Sequence, residues 1–409
     1  VKLEKENRII TSKIFASSDE FSKEIASKKS VKLNTPQNYD AWTMANLNLQ
    51  NSLGNLYLEG TRKKFLKKKV GKNKIDMIQK ISSPLFFKNY IILSDDNGSI
   101  FKINKKGRKV WKINIYKKIY KKLYKNLTFA LYEDNIYVAD NIGFIYLVNF
   151  TTGEVVWKKN FGIPFKSRIK VYNNKIFIVD QDNRMLCLDT KDGSIIWNIL
   201  TIKTFIKSID LLGLAISEKG YLIFSNSAGD VIKANISNGG IQWSMNSLIS
   251  KSTFDSDFFK ASDIVIDKEV AIFSNISSTF SLNLDSGYVN WISKVTSSHT
   301  PIIDGNNIFL ITDKGYFVNL DKRNGKILWS TNIFKALKKK LQKTHISGFI
   351  LGSDKIYITT LNGYLITCSA LTGKVENKKR IALSINSAPI IINGELYVLT
   401  TSSRILGFR

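Results

Sequence analysis

The sequence predicts an all-β fold: an eight-bladed β-propeller of four-stranded antiparallel blades, its ring closed by an N-terminal strand around Trp42. Three observations carry that expectation. The unit Gly-x-x-x-Trp recurs along the chain, as Gly107–Trp111, Gly153–Trp157, Gly193–Trp197, Gly239–Trp243, Gly287–Trp291 and Gly325–Trp329. Successive Trp positions lie 46, 40, 46, 48 and 38 residues apart, close to the length of one blade. An alternating apolar strand precedes each copy, as in "FIYLVNFTTG" and "YFVNLDKRNG".

Each blade follows from the same local chemistry. Alternation at period two, with β-branched and aromatic residues, makes a half-buried strand. The Thr-Gly, Asp-Gly, Asn-Gly and Ser-Gly pairs close tight hairpins, because Gly takes positive φ at no steric cost. A second hairpin lies upstream, as in "NNIFLITDKGYFVNL". Each unit therefore reads as four strands with the Trp on the outermost. A seventh copy, "LTGKVEN", keeps Gly373 and places Asn377 where the Trp would stand, so that junction is expected to pack least well. The last unit, "SAPIIINGELYVLTTSSRILGFR", holds only three strands. The strand around Trp42 is expected to supply the fourth and leave no open edge.

The propeller is expected over 37–409. Residues 1–36 are polar and lack strong periodicity, which reads as an extended or partly disordered leader. "NIYKKIYKKLYKNL" and "IFKALKKKLQK" space apolar residues for one helical face, predicting short amphipathic helices near 115–127 and 333–343. A solvated Lys face on a helix packed at the rim explains both; a membrane-surface or partner helix is the alternative.

The composition is globular: 409 residues, 44% hydrophobic and 23% charged. The net charge is +28, from 61 Lys+Arg against 33 Asp+Glu. Such an excess suits an anionic partner, for which "RKKFLKKKVGKNK" (62–74) is a candidate. The excess is mostly dispersed Lys, whereas nucleic-acid recognition favours Arg forks and a known module. Cys187 and Cys368 occupy similar places in two repeats, hence different blades too distant for a disulfide. No apolar run reaches the roughly 18 residues of a membrane helix. His299 and His345 sit at equivalent entries to blades and lack zinc-site spacing. No nucleophile elbow or phosphate loop is present. No catalytic residue, metal or cofactor is therefore expected.

"MLCLDTKDGSIIW" (185–197) is a repeat that resembles the quinoprotein-type propeller family, and the resemblance extends over about residues 80–409. Two classes share it: quinone-dependent dehydrogenases, and the BamB family of outer-membrane assembly factors. The chain length and the lack of a Cys-Cys pair look like BamB. "KLEKENRII" and "VKLNTPQNYDAWTMANLNLQ" resemble the leader of its alphaproteobacterial members at Arg8, Ile9, Pro36 and Trp42, without the Gly-Gly that often follows that Trp.

The resemblance implies that the repeat Trp packs between neighbouring blades. It implies a non-enzymatic scaffold of the BAM complex, a lipoprotein on the periplasmic face of the outer membrane. A signal peptide and lipobox Cys would then lie upstream of Val1. Its partners would be the POTRA domains of BamA, with other BAM subunits and nascent β-barrels. Carried onto this sequence, the BamA contacts are Ile206 and Lys207 in "TIKTFIKSIDLLG", and Phe254, Asp255 and Asp257 in "STFDSDFF". Lys207 stands where an Arg fork is usual, and an ordinary capped turn is the alternative for the two acids. Two other functions stay open: a quinone-dependent oxidoreductase with a base and Ca²⁺ ligands at the axis, and a propeller binding an anionic polymer.

Overall fold

The computed structural model describes residues 21–27, 31–73, 82–120, 123–205, 207–208, 210–248, 260–337 and 344–409. Their strands form eight four-stranded antiparallel sheets. Blades 1 to 7 run consecutively along the chain, over 85–114, 127–160, 170–199, 214–246, 265–293, 302–332 and 346–380. The first strand of each is innermost, and neighbouring first strands touch, as Leu85–Phe87 does Leu127–Tyr132. Blade 8 takes Ile390–Ile392, Glu395–Leu399 and Arg404–Phe408 from the end of the chain.

Its outer strand corrects one expectation. The ring is closed by Lys64–Lys69, not by residues around Trp42. Lys69 faces Arg404 and Lys64 faces Phe408. An outer strand has one free edge, and only Leu66 of the six residues is buried. Lysines on such an edge oppose pairing with another chain. The Lys run at 62–74 is thus largely a blade edge. Trp42 lies instead on the inside of the ring, bridging Phe86 of blade 1 with both backbone bonds.

The repeated Gly does two things. It takes positive φ, +77° at Gly153, as a hairpin turn requires. It is also the seat for the Trp of the preceding blade. A Cβ on Gly153 would stand 2.7 Å from Trp111, one on Gly239 2.7 Å from Trp197, and one on Gly373 2.6 Å from Trp329. At five of the six seats the indole nitrogen also donates to the carbonyl three residues before that Gly, as Trp111 to Phe150 O at 3.1 Å, Trp243 to Leu284 O at 3.0 Å and Trp291 to Lys322 O at 2.8 Å. Gly and Trp of one pentamer therefore belong to two different junctions. A β-bulge directly after the Trp's cross-strand partner recurs in blades 1 to 6, for example between Cys187 and Leu188, and after the partner of Asn377 in blade 7.

Both interruptions of the rhythm are only partly within the described residues. Lys118–Tyr120 and Ile333–Ala336 are single 3₁₀ turns; residues 121–122 and 338–343 lie outside the described residues. Around the first turn Ile119 and Leu123 are exposed, while Ile115 and Tyr116 pack against the core of blades 1 and 2. Cys187 and Cys368 are free and buried in the third strands of blades 3 and 7. Burial pushes both thiols up to about 12.

Candidate functional site

The axis of the ring is occupied by the chain itself. Residues 34–58 reach the innermost strand or its turn in every blade. Trp42 bridges Phe86, Met44 bridges Ala130, Leu56 bridges Gly352 and Leu58 bridges Gly394. Leu49 O and Gln50 O accept from Ile216 N and Ile266 N of blades 4 and 5. Asn34 N donates to Asp304 of blade 6 at 2.7 Å. Blade 3 contributes Lys170, whose Nζ donates to Ala45 O at 3.2 Å and to Asn48 O and Asn51 Oδ1 at 2.7 Å. Asn51 Nδ2 then donates to Leu214 O and Ile264 O, stitching blades 4 and 5 to the same point.

Lys170 and Asn51 are fully buried. Three oxygens accept from Nζ, while burial pushes the lysine down to about 7. The nearby carboxylate of Asp263 is also engaged, by Arg168 and by Asn46 Nδ2 at 2.8 Å. Trp42, Met44, Leu47, Leu53, Leu56 and Leu58 are buried along this segment. Among the described residues no group of three His, Cys, Asp or Glu converges. The sequence carried a signal for this segment: the one Trp outside the repeat stands in it.

The second region is the connection between blades 3 and 4. Leu200, Ile202 and Phe205 are exposed there, Phe205 completely. Beside them Lys207 donates to Asp182 at 3.1 Å, and Lys203 lies 3.5 Å from the same acid. The hydrogen bond from Lys207 leads the causes that hold Asp182 below the usual carboxylate range. An exposed apolar cluster rimmed by fixed charge has the composition of a protein-binding surface. Of the residues carried over by resemblance, Lys207 is thus placed in this loop. Ile206, Phe254, Asp255 and Asp257 lie outside the described residues. The neighbouring Lys260 pairs with Asp313 of blade 6. Phe205 was missed because a lone Phe in a loop gives no periodic signal; its exposure is a tertiary fact.

The two histidines are not brought together as a site. His299 stacks edge-on with Phe349, with ring centres 6.2 Å apart. Among the described residues no helix is long and apolar enough to cross a membrane.

Eight four-stranded blades, with an indole seated on the next blade's Gly at six junctions, define a quinoprotein-type propeller. Solved structures agree on that fold. One is a BamB from Moraxella catarrhalis (TM-score 0.69, 10% identical, 84% of this chain and 100% of that one). Another is a quinohemoprotein alcohol dehydrogenase from Pseudomonas putida (TM-score 0.70, 10% identical, 90% and 80%). Sequence divides these two classes. The family model described as outer membrane protein assembly factor BamB matches residues 96–331, more than half of the chain. The chain belongs to that family. Curated relatives include the outer membrane protein assembly factors BamB of Shewanella oneidensis and Yersinia pestis. The first is 21% identical over 337 residues, covering 68% of this chain and 83% of that protein; the second is 21% identical over 313, covering 74% and 77%.

Proposed function

We propose that this propeller is a non-enzymatic scaffold in outer-membrane β-barrel assembly, binding the POTRA domains of BamA through the connections between blades 3, 4 and 5. The exposed cluster Leu200, Ile202 and Phe205, beside the Lys207–Asp182 pair, carries that reading. An apolar centre with a charged rim is how a transient interface gains both affinity and orientation. Ile206, Phe254, Asp255 and Asp257 complete the proposed surface. Family membership supports the assembly role. The working location is the periplasmic face of the outer membrane, held there by a lipid anchor.

Pull-down with purified POTRA domains tests the reading. The wild type is expected to bind. Phe205→Asp with Leu200→Asp is expected to weaken binding at least about tenfold, as loss of a buried anchor does. Asp255→Arg with Asp257→Arg probes the second loop in the same way. No binding by the wild type overturns the function; unchanged binding by both double variants overturns the surface.

A further inference from the structure

We propose that the cleft between blades 7 and 8 binds an aromatic side chain lying next to a carboxylate, in an extended segment of a partner protein. The molecule itself shows what fills this position. At six junctions an indole leaves the outer strand and rests on the next blade's Gly. At the seventh both halves are absent. Asn377 stands opposite Thr367 in the register that pairs Trp329 with Asn319 and Trp291 with Ser281. Its short, exposed side chain does not reach across. Blade 8 has no Gly hairpin to receive it, because its outer strand is Lys64–Lys69 and not a continuation of Arg404–Phe408.

What remains is a cleft of about 210 Å³. Its floor is apolar and buried: Leu365, Ile381 and Phe408. Arg62 and Lys379 line it together with Asn377, and neither cation has an ion-pair partner among the described residues. An apolar slot of indole position with two free cations at its lining calls for an aromatic ring carrying a nearby anion. Arg supplies a fork for a carboxylate, and both cations favour a ring face.

The extended form of the segment has a precedent one blade away. Residues 21–27 lie along the outer strand of blade 6, where Ile25 and Ser330 exchange backbone bonds of 3.0 and 2.9 Å. Glu24 meets Lys335 and accepts from Asn332 N at 3.1 Å. Phe21 packs edge-on against Tyr316 with ring centres 5.9 Å apart. A short segment bearing one acid and one aromatic ring already docks on a blade edge of this protein. The outer strand Val375–Arg380 of blade 7 presents the same kind of edge with more positive charge.

The probe is N-acetyl-5-fluorotryptophan, which carries both groups, titrated into the full chain and followed by ¹⁹F NMR. Saturable broadening is expected with the wild type, and about tenfold weaker binding for the corresponding amide, which lacks the charge-assisted bonds. Asn377→Trp fills the slot from within and is expected to abolish the effect. Lys379→Glu, on an exposed position that leaves the floor intact, is expected to weaken it. No saturable signal with the wild type, equal binding of acid and amide, or both variants behaving as wild type would overturn the proposal. Lys379→Glu is expected to leave POTRA binding unchanged, so this site and the blade 3–5 surface stand or fall separately.

Discussion

The first six blade junctions and the seventh are built from the same strands and differ in one exchange. At junctions 1 to 6 the indole of one blade lies on the Gly of the next, too close for any Cβ: 2.4 Å at Gly325 under Trp291 and 2.7 Å at Gly153 under Trp111. At junction 7 the Trp is Asn377 and the Gly does not exist, because the blade is joined from the two ends of the propeller. The eighth junction shows the same effect from the other side. Gly107 of blade 1 is met by Lys68 and Leu66 rather than by an indole. The difference teaches that Trp and Gly are one contact shared between blades. Where blade 8 takes its outer strand from Lys64–Lys69, neither the Gly hairpin nor the Trp is present.

The largest effect should come from breaking a complete junction. Trp329 is wholly buried between blades 6 and 7. Trp329→Ala should cost about 4 kcal/mol, read as a fall in the guanidinium unfolding midpoint. Gly325→Ala should cost about 3 kcal/mol, combining left-handed backbone strain with a ring that must move. A retained midpoint would show that the seat is not a close contact.

The indole hydrogen bond sharpens the comparison within the six. Trp291 Nε1 donates to Lys322 O, while Trp329 Nε1 has no partner among the described residues. Trp291→Phe should therefore cost about 1 kcal/mol more than Trp329→Phe. Asn377→Ala should move stability by less than about 0.5 kcal/mol, because no junction is broken. A drop as large as that of Trp329→Ala would erase the distinction.

The axis gives a test through pH. Lys170 is pushed down to about 7 by burial, so the unfolded chain holds a proton that the folded chain sheds between about pH 7 and 10. Stability from this group is lowest below pH 7 and rises across that window. Lys170→Met should flatten the rise in thermal midpoint between pH 7 and 10. A slope equal to the wild type would mean that Lys170 keeps its proton, held by Ala45 O, Asn48 O and Asn51 Oδ1.

Much of the ring was legible because its signals are local and repeated. Alternation, hairpin Gly and blade length need only short windows, so seven blades and the three-stranded eighth could be counted along the chain. The closing strand could not be picked out in this way. "KFLKKK" buries one residue of six and looks like a solvated charge run, whereas Trp42 looks like one more repeat residue. Which segment completes blade 8 is decided by what reaches Arg404–Phe408, a contact more than 300 residues away in sequence. The candidate surface was half legible. Resemblance pointed to the connection holding Lys207, but the exposure of Leu200, Ile202 and Phe205 depends on which neighbours leave them uncovered.

The sequence by itself determined the blade, because hydrogen-bonded antiparallel strands with inward apolar residues follow from nearest neighbours and tight turns. It also determined the number of blades, because the repeat is covalent. Only the tertiary structure decided how the blades hold one another and what fills their centre. The Gly seat for each Trp lies in the following repeat, and the axial contacts of Lys170 and Asn51 join residues more than 100 positions apart. Such contacts are set by closing the ring, when eight inner strands converge on a space that one apolar and Asn-rich segment is able to fill.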